Sequence, residues 1–465
     1  MQLFGKRDPY RVLKKQLGAH KVLDRLEDRV VYSVDASYTA PPGRHDPDVV
    51  VLPETAGEVA ACVRFAREAE MNIVPRGTGT GMSAGAVPLG GGMVLCTERM
   101  KAIRDLNVNA RWIQVEPGLT TADVKAASER HRLTYPPDPS SYKISSIGGN
   151  LAENAGGLRC VKYGTTKDYV LGLRFVNSEG ELVSTGVLAD EPQPLDLTPL
   201  LVGSEGLFGV IVEARLSLVP APKATHTLLA HFSRMEQAVE AVNTLLPEIV
   251  PSVLELMDGA VIEAIRQHDP YPFPEGIEAA LLVETDGDPE PAKLAADRAA
   301  EVIGEIGALE MHTAHTPVER ERLWNLRRLI SPSLSRLASG KMNEDVVVPI
   351  GRLGELLERI AQLSEHYRIR IPVFGHAGDG NLHLNAMFDA DSAREYSVAH
   401  DVILECFKAV VELGGTISGE HGIGAAKNRF LDLQYSEDEI KLLRSLKKAF
   451  DPDGLFNPFK VLPPS

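Results

Sequence analysis

The sequence predicts an α+β fold in more than one domain, and three observations carry that prediction. Its 465 residues, 44% of them apolar, are too many for one simple core and enough to bury two or three. Between residues 46 and 223 short apolar runs alternate with helix signals and glycine-rich loops. After "PAPK" (220–223) the pattern changes to longer strand runs between amphipathic helices, which marks a separate α/β layer.

Residues 1–45 are charged and mostly helix-like, ending in the breaker cluster "APPGRHDP" (40–47). A domain over 46–223 then begins with strand "DVVVL" (48–52). Thr55 and Glu58, at capping-box spacing, open a helix that runs to about Glu70. Strand "NIV" (72–74), a glycine-rich loop, strands "GGMVLC" (91–96) and "RWIQVEPG" (111–118), and a helix from Thr121 to His131 follow. Residues 133–170 are rich in Pro, Ser and Gly without period, and a loop of that length in a compact domain is usually functional. Strands "YVLGLRFV" (169–176) and "GVIVEARLSLV" (209–219) close the domain. The second domain, 224–414, carries strands "THTLLAHF", "VLELMD" and "AALLVETD", a long helix around 319–338, strand "EDVVVP" (344–349), a helix over 351–367, a hairpin at 375–388 and a helix over 394–413. A final segment, 415–465, ends in a short helix and "FDPDGLFNPFK".

Lys and Arg total 49 against 64 Asp and Glu, and the net charge of −15 repels nucleic-acid phosphates and anionic lipid. The N-terminus "MQLFGKRDPY" has no continuous apolar run, and no stretch approaches the length of a membrane span, so a cytoplasmic protein is expected, peripheral to a membrane only through a partner. Cys62, Cys96, Cys160 and Cys406 stand far apart without CxxC spacing, which argues against a disulfide framework and against an internal iron–sulfur cluster.

Two glycine loops and one hairpin hold the chemistry. "PRGTGTGMSAGAVP" (75–88) contains a degenerate dinucleotide fingerprint, but Gly85, Pro88 and Gly90 to Gly92 lead into a strand, not into the helix a Rossmann site needs. The amides of Gly77, Thr78, Gly79, Thr80 and Gly81 suit a diphosphate nest better than a tight surface turn. A second loop, "PPDPSSYKISSIGGNLAENAGGLRCVKYG" (136–164), joins small residues and hydroxyls without period, so backbone must approach something flat or bulky there. In "GHAGDGNLHLNAMF" (375–388), His376 and His383 would face opposite sides of one extended strand, so a turn at Gly378 to Asn381 must intervene. Leu382, Leu384, Ala386 and Phe388 then form an apolar face, and His383, Asn385 and Met387 the other. Two imidazoles across a glycine turn and Glu420 with His421 in "SGEHGIG" supply the ligand types of a divalent transition metal. Arg327, on a largely apolar helix, is a candidate for pairing with a substrate carboxylate, and equally for a surface ion pair; Asn385 could donate to the same ligand.

Together "RGTGTG", "IGGNLAENAGG", "GSEGLFGVIVEA", "GHAGDGNLH", "SGEHGIG" and "FDPDGLFNP" resemble the D-2-hydroxyacid dehydrogenase branch of the vanillyl-alcohol oxidase superfamily, over about 45 to 460. That branch includes glycolate oxidase subunits, D-lactate dehydrogenases and D-2-hydroxyglutarate dehydrogenases. The resemblance implies a two-part PCMH-type FAD-binding domain, an α/β cap domain for substrate and a C-terminal helical segment that completes the site. It implies FAD contacts at Arg76, Gly77, Thr78, Gly79, Thr80, Gly81, Met82 and Ser83 in the first loop. In the second loop it implies Asp138, Ser145, Ser146, Gly149, Asn154, Gly156 and Gly157; Glu205, Gly206 and the Ile211 backbone would reach the far end of the cofactor, with Asn457 in the tail. Some members attach flavin through a first-loop histidine, and 75–88 has none, so non-covalent FAD is expected. His376, His383 and Glu420 match the positions that bind Zn, Mn or Fe, His421 the catalytic base and Arg327 a substrate-binding arginine. The implied reaction is metal-assisted oxidation of a D-2-hydroxy acid by hydride transfer to flavin, with electrons passed to a separate iron–sulfur subunit, electron-transferring flavoprotein or quinone; a homodimer is compatible. Asn343, where hydroxyglutarate enzymes tend to carry lysine, favours a monocarboxylate such as D-lactate or glycolate, and "NPFK" (457–460) replaces the usual Asn-Pro-Gly-Lys. The competing reading is a metal-dependent hydrolase of a nucleotide-like substrate.

Overall fold

A computed structural model describes residues 8–37, 45–189 and 195–463. Residues 40–44 of the breaker cluster lie outside them, and in the expected N-terminal helical segment the described helices are Arg11–Leu17 and Leu26–Arg29. The chain forms two compact units, one from Met1–Ala155, Thr165–Pro220 and His421–Ser465, the other from Gly156–Gly164 and Ala221–Glu420. Two boundaries differ from those expected. Residues 156–164, read as part of the cofactor domain, belong to the second unit because Arg159 pairs with Glu284 (2.7 Å) and Lys162 with Asp286 (2.6 Å), both on its sheet. The final segment, expected from 415 onward to pack on the cofactor domain, joins the first unit only from His421, and 415–420 fall in the second unit.

In the first unit, β1 (Val22–Leu23), β2 (Val49–Val51), β3 (Ile73–Arg76) and β4 (Met93–Cys96) form a sheet in the order β1-β2-β4-β3. The helix Ala56–Glu68 starts where Thr55 Oγ1 accepts the Glu58 amide (3.2 Å), and its Val59, Cys62, Val63 and Ala66 recur at helical spacing to cover Val49, Val51, Ile73 and Met93. β3 and β4 are parallel, and their crossover is the glycine loop itself, with no helix in it. A five-stranded antiparallel sheet, built from β5 (Ile103–Asn107), β6 (Trp112–Val115), β8 (Val170–Val176), β9 (Leu182–Ser184) and β10 (Val210–Ser217), has the order β5-β6-β10-β8-β9. β7 (Leu133–Thr134) pairs with β11 (Val219–Pro220). The stretch read as aperiodic from 136 to 164 contains a seven-residue helix, Ile147–Glu153, which Ser146 caps by accepting the Gly149 amide (3.3 Å). Gly148 and Gly149 hide it from a propensity reading.

The second unit is one antiparallel sheet of seven strands: β12 (Ala224–Phe232), β13 (Val253–Asp258), β14 (Ala279–Gly287), β15 (Glu310–Thr313), β16 (Gly340–Val347), β17 (Val373–His376) and β18 (Asn381–Phe388), in the order β15-β12-β14-β13-β17-β18-β16. Alternation gives each face its own helices. Glu284 reaches Trp324 Nε1 (2.9 Å) on the helix Pro317–Leu334, whereas Thr285, one residue on, donates to Ala292 O (2.8 Å) on the helix Pro289–Ile306. The first face is walled by Leu229, Val253, Met257, Leu282, Leu323, Leu326 and Ile330. Among the described residues no helix is long and apolar enough to cross a membrane.

Candidate metal centre and cofactor loops

Register on the second unit's sheet assembles the histidines. β17 and β18 form the expected hairpin, in which Phe374 faces His383 and His376 faces Asn381, so both imidazoles lie on one face. On the neighbouring strands Glu255 stands opposite His376 and Asp345 opposite His383. Four polar residues thus line up across the face that the helix Pro317–Leu334 covers.

Their contacts divide the labour. One ligand atom each from His376, His383 and Glu420 lies within 4.8 Å of the others, with His376 Nε2 3.2 Å and His383 Nε2 3.6 Å from Glu420 Oε1. The Glu255 carboxylate binds His376 Nδ1, which fixes the tautomer and turns Nε2 towards Glu420. Asp345 accepts the amides of Gly419 (2.7 Å) and Glu420 (2.6 Å) and so holds the Glu420 backbone. Burial disfavours the His376 imidazolium, yet the Glu255 and Glu420 carboxylates hold its pKa well above the ordinary value. Burial would raise Glu255, but His376 and Arg327 bring it down to about 2. A site that draws a proton so strongly between two carboxylates suits a dication equally well, and the N, N, O donor set fits Zn, Mn or Fe.

Arg327 is no surface pair. It is buried, its Nε lies 2.5 Å from Glu255 Oε2, and its guanidinium stacks on Phe374 at 4.9 Å. Its terminal Nη nitrogens have no hydrogen-bond partner among the described residues. Asn385 requires correction as a substrate donor. It is fully buried; its amide nitrogen donates to Pro372 O (3.2 Å) and His383 O (3.3 Å), and its oxygen accepts from Asn343 (2.6 Å), so no donor remains. Glu255 and Asp345 escaped the sequence reading, although an acidic residue at an inward position of an apolar strand, as in "VLELMD", was the available signal.

The first unit brings the two glycine loops together. A Cβ on Gly77 would lie 2.1 Å from Ser146 Oγ, so the first loop runs against the cap of the helix Ile147–Glu153. The amides of Thr78, Gly79, Thr80 and Gly81 donate no hydrogen bond among the described residues, and the hydroxyls of Thr78 and Ser83 are shielded from solvent without partners. Unspent backbone amides and hydroxyls gathered in one glycine loop fit a diphosphate. Arg76 folds back over Gly79 and donates to Val34 O (2.8 Å).

Other expected cofactor contacts are committed inside the protein. Glu205 accepts the amides of Ile423 (2.8 Å) and Gly424 (2.7 Å) and holds the chain just beyond His421. Asn457 donates to Glu205 O (2.6 Å) and Gly85 O (3.3 Å) and accepts from Lys460 (2.8 Å), so its side chain is a brace. Asn154 caps a helix in the left-handed region and accepts from Thr165 Oγ1 (3.1 Å) and the Lys167 amide (2.8 Å). Asp138 is held by Lys125. Ser145 lies 3.5 Å from Thr121 Oγ1, Gly206 sits at φ +72°, and Ile211 borders a bulge of β10. Gly156 and Gly157 belong to the second unit, where a Cβ on Gly156 would stand 3.3 Å from Glu420 Oε2. His421, directly after Glu420, is partly buried.

Residues 221–461 match the family described as FAD linked oxidases, C-terminal domain, and residues 47–186 match the FAD binding domain. The chain belongs to the FAD-linked oxidase family, on the branch its motifs resemble. It is 37% identical over 455 residues to the glycolate oxidase subunit GlcD of Bacillus subtilis, covering 97% of this chain and 96% of that one. It is 32% identical to a D-lactate dehydrogenase of Anaerostipes hadrus (96% of each) and 31% identical to a D-2-hydroxyglutarate dehydrogenase of Stutzerimonas stutzeri (97% of each). p-Cresol methylhydroxylase shares the fold, with a TM-score of 0.81 at 16% identity over 98% of this chain and 96% of that one.

Proposed function

We propose that the protein oxidises a D-2-hydroxy acid, D-lactate or glycolate in preference, to the 2-oxo acid, using non-covalent FAD and a divalent cation held by His376, His383 and Glu420. The observation that supports this most is the imidazole, imidazole, carboxylate cluster backed by Glu255, in a chain of the FAD-linked oxidase family. The relatives named above act, by their names, on glycolate, D-lactate or D-2-hydroxyglutarate. The hydrolase reading finds no support in that match.

FAD, when bound along Thr78 to Gly81 and Ser83, supplies the acceptor for the hydride that leaves C2 of the substrate. A Zn, Mn or Fe cation on the cluster would supply Lewis acidity that lowers the pKa of the substrate hydroxyl. The side chains do the rest. Arg327 offers its Nη nitrogens to the substrate carboxylate while Nε stays on Glu255. His421 takes the hydroxyl proton at a ring nitrogen. Asn343, committed to Asn385, offers no positive charge to a second carboxylate, which favours a monocarboxylate. The four cysteines are free and dispersed, so electrons leave to a separate iron–sulfur subunit, electron-transferring flavoprotein or quinone.

Anaerobic titration with D-lactate, L-lactate, glycolate and D-2-hydroxyglutarate, following flavin absorbance, tests the reading. Bleaching by D-lactate or glycolate that stops after chelation is expected. Bleaching by none of the four would overturn it.

A further inference from the structure

The far edge of the second unit's sheet carries a second cluster of metal-ligand type. His231 near the end of β12 stands opposite Glu310 on the edge strand β15, and His312, two residues on, shares Glu310's face. One ligand atom from each of the three lies within 4.8 Å of the others. His312 Nε2 approaches Glu310 Oε1 to 3.0 Å, yet it makes no hydrogen bond.

His231 is the telling residue. It is fully buried, and neither ring nitrogen has a hydrogen-bond partner among the described residues. A neutral imidazole carries one donor and one acceptor, and a core leaves such groups unmade only at a cost in stability. The buried hydroxyl of Tyr271 is likewise without a partner, and that ring stands 5.7 Å from His312 and 6.1 Å from His231. Aromatic side chains and unspent polar atoms therefore surround one point at a sheet edge.

We infer that His231, Glu310 and His312 form a second divalent-cation site, for zinc or a similar N/O-binding transition metal, independent of the proposed catalytic cluster. Tetrahedral zinc with ligands at about 2.0–2.2 Å needs donor atoms about 3.3 Å apart. Glu310 and Met311 are exposed and β15 is a four-residue edge strand, so Glu310 and His312 can close that distance onto the fixed His231, with water as fourth ligand. The cation would tie the edge strand to β12, a structural role outside the redox chemistry.

The test is zinc stoichiometry by equilibrium dialysis of chelator-stripped holoenzyme with zinc chloride alone. His383→Ala removes the proposed catalytic cluster, and that variant is expected to retain one equivalent of zinc. Adding His312→Ala, or Glu310→Gln where His312→Ala does not fold, should weaken that remaining binding at least tenfold. In the otherwise unaltered chain, His312→Ala should leave flavin reduction by substrate unchanged; zinc should raise the melting temperature of His383→Ala and no longer do so once His312→Ala is added. No zinc bound by His383→Ala, or zinc retained undiminished after the added edge-strand substitution, would overturn the inference while leaving the catalytic cluster untouched.

Discussion

Glu255→Gln is the substitution from which the arrangement predicts most. The carboxylate is fully buried, 2.5 Å from Arg327 Nε and bonded to His376 Nδ1, and its pKa is brought to about 2 from an ordinary 4.5. A depression of that size corresponds to roughly 3 kcal/mol of stability, in line with the ~3–5 kcal/mol lost when one partner of a buried pair is removed. Because the folded-state pKa is lowered, this contribution is complete above the unfolded pKa of about 4.5 and disappears as pH falls towards 2; by pH 3 less than half should remain. Urea unfolding of the metal-free protein should therefore show Glu255→Gln less stable by about 3 kcal/mol at pH 7, with the gap from wild type narrowing below pH 4.5. The same substitution frees the His376 tautomer, and loss of such an outer partner lowers metal affinity by about 10–100-fold. Equal unfolding midpoints at pH 7 together with undiminished metal affinity would refute the reasoning.

Gly77→Ala should lose FAD, because its Cβ would meet Ser146 Oγ at 2.1 Å, and Gly77→Ala with Ser146→Ala should regain it, since Ser146 Cβ is 3.4 Å away; the flavin-to-protein absorbance ratio measures both. His421→Ala should keep FAD and slow anaerobic flavin reduction by about 10²–10⁴-fold, and an unchanged rate would remove it as the base. Arg327→Lys should raise KM for the hydroxy acid more than it lowers kcat, and an unaltered KM would leave Arg327 only its structural pair with Glu255. Asn385→Ala should cost about 2–3 kcal/mol in unfolding free energy through its buried amide network while KM in the folded fraction stays near wild type.

Much of this was legible from residue types, because backbone rules are local. The glycine turn between His376 and His383 follows from the residue types at Gly378 to Asn381 together with period-2 alternation, and the hairpin register, with Phe374 opposite His383, puts both imidazoles on one face. Thr55 announced its helix by a capping spacing. The helix Ile147–Glu153 did not show, since its glycines lower helix propensity and only the Ser146 cap marks it. Glu255 and Asp345 stayed hidden for a different reason. Their significance comes from strand order, which sets β13 beside β17 and β16 beside β18 across more than a hundred and about forty residues of chain, respectively, and no local pattern encodes that pairing. The same limit hid the protein partners of Asn385, Asn457 and Glu205, and those of Asn385 leave it no donor for a substrate.

The proposed oxidation depends most on a catalytic cation at His376, His383 and Glu420. Its most direct test is anaerobic flavin bleaching by a D-2-hydroxy acid in chelator-stripped protein, with metal restored one equivalent at a time, for wild type and for His383→Ala. Restored bleaching in wild type and none in the variant is the predicted result; full bleaching of stripped wild type, or equal restoration in both proteins, would contradict it.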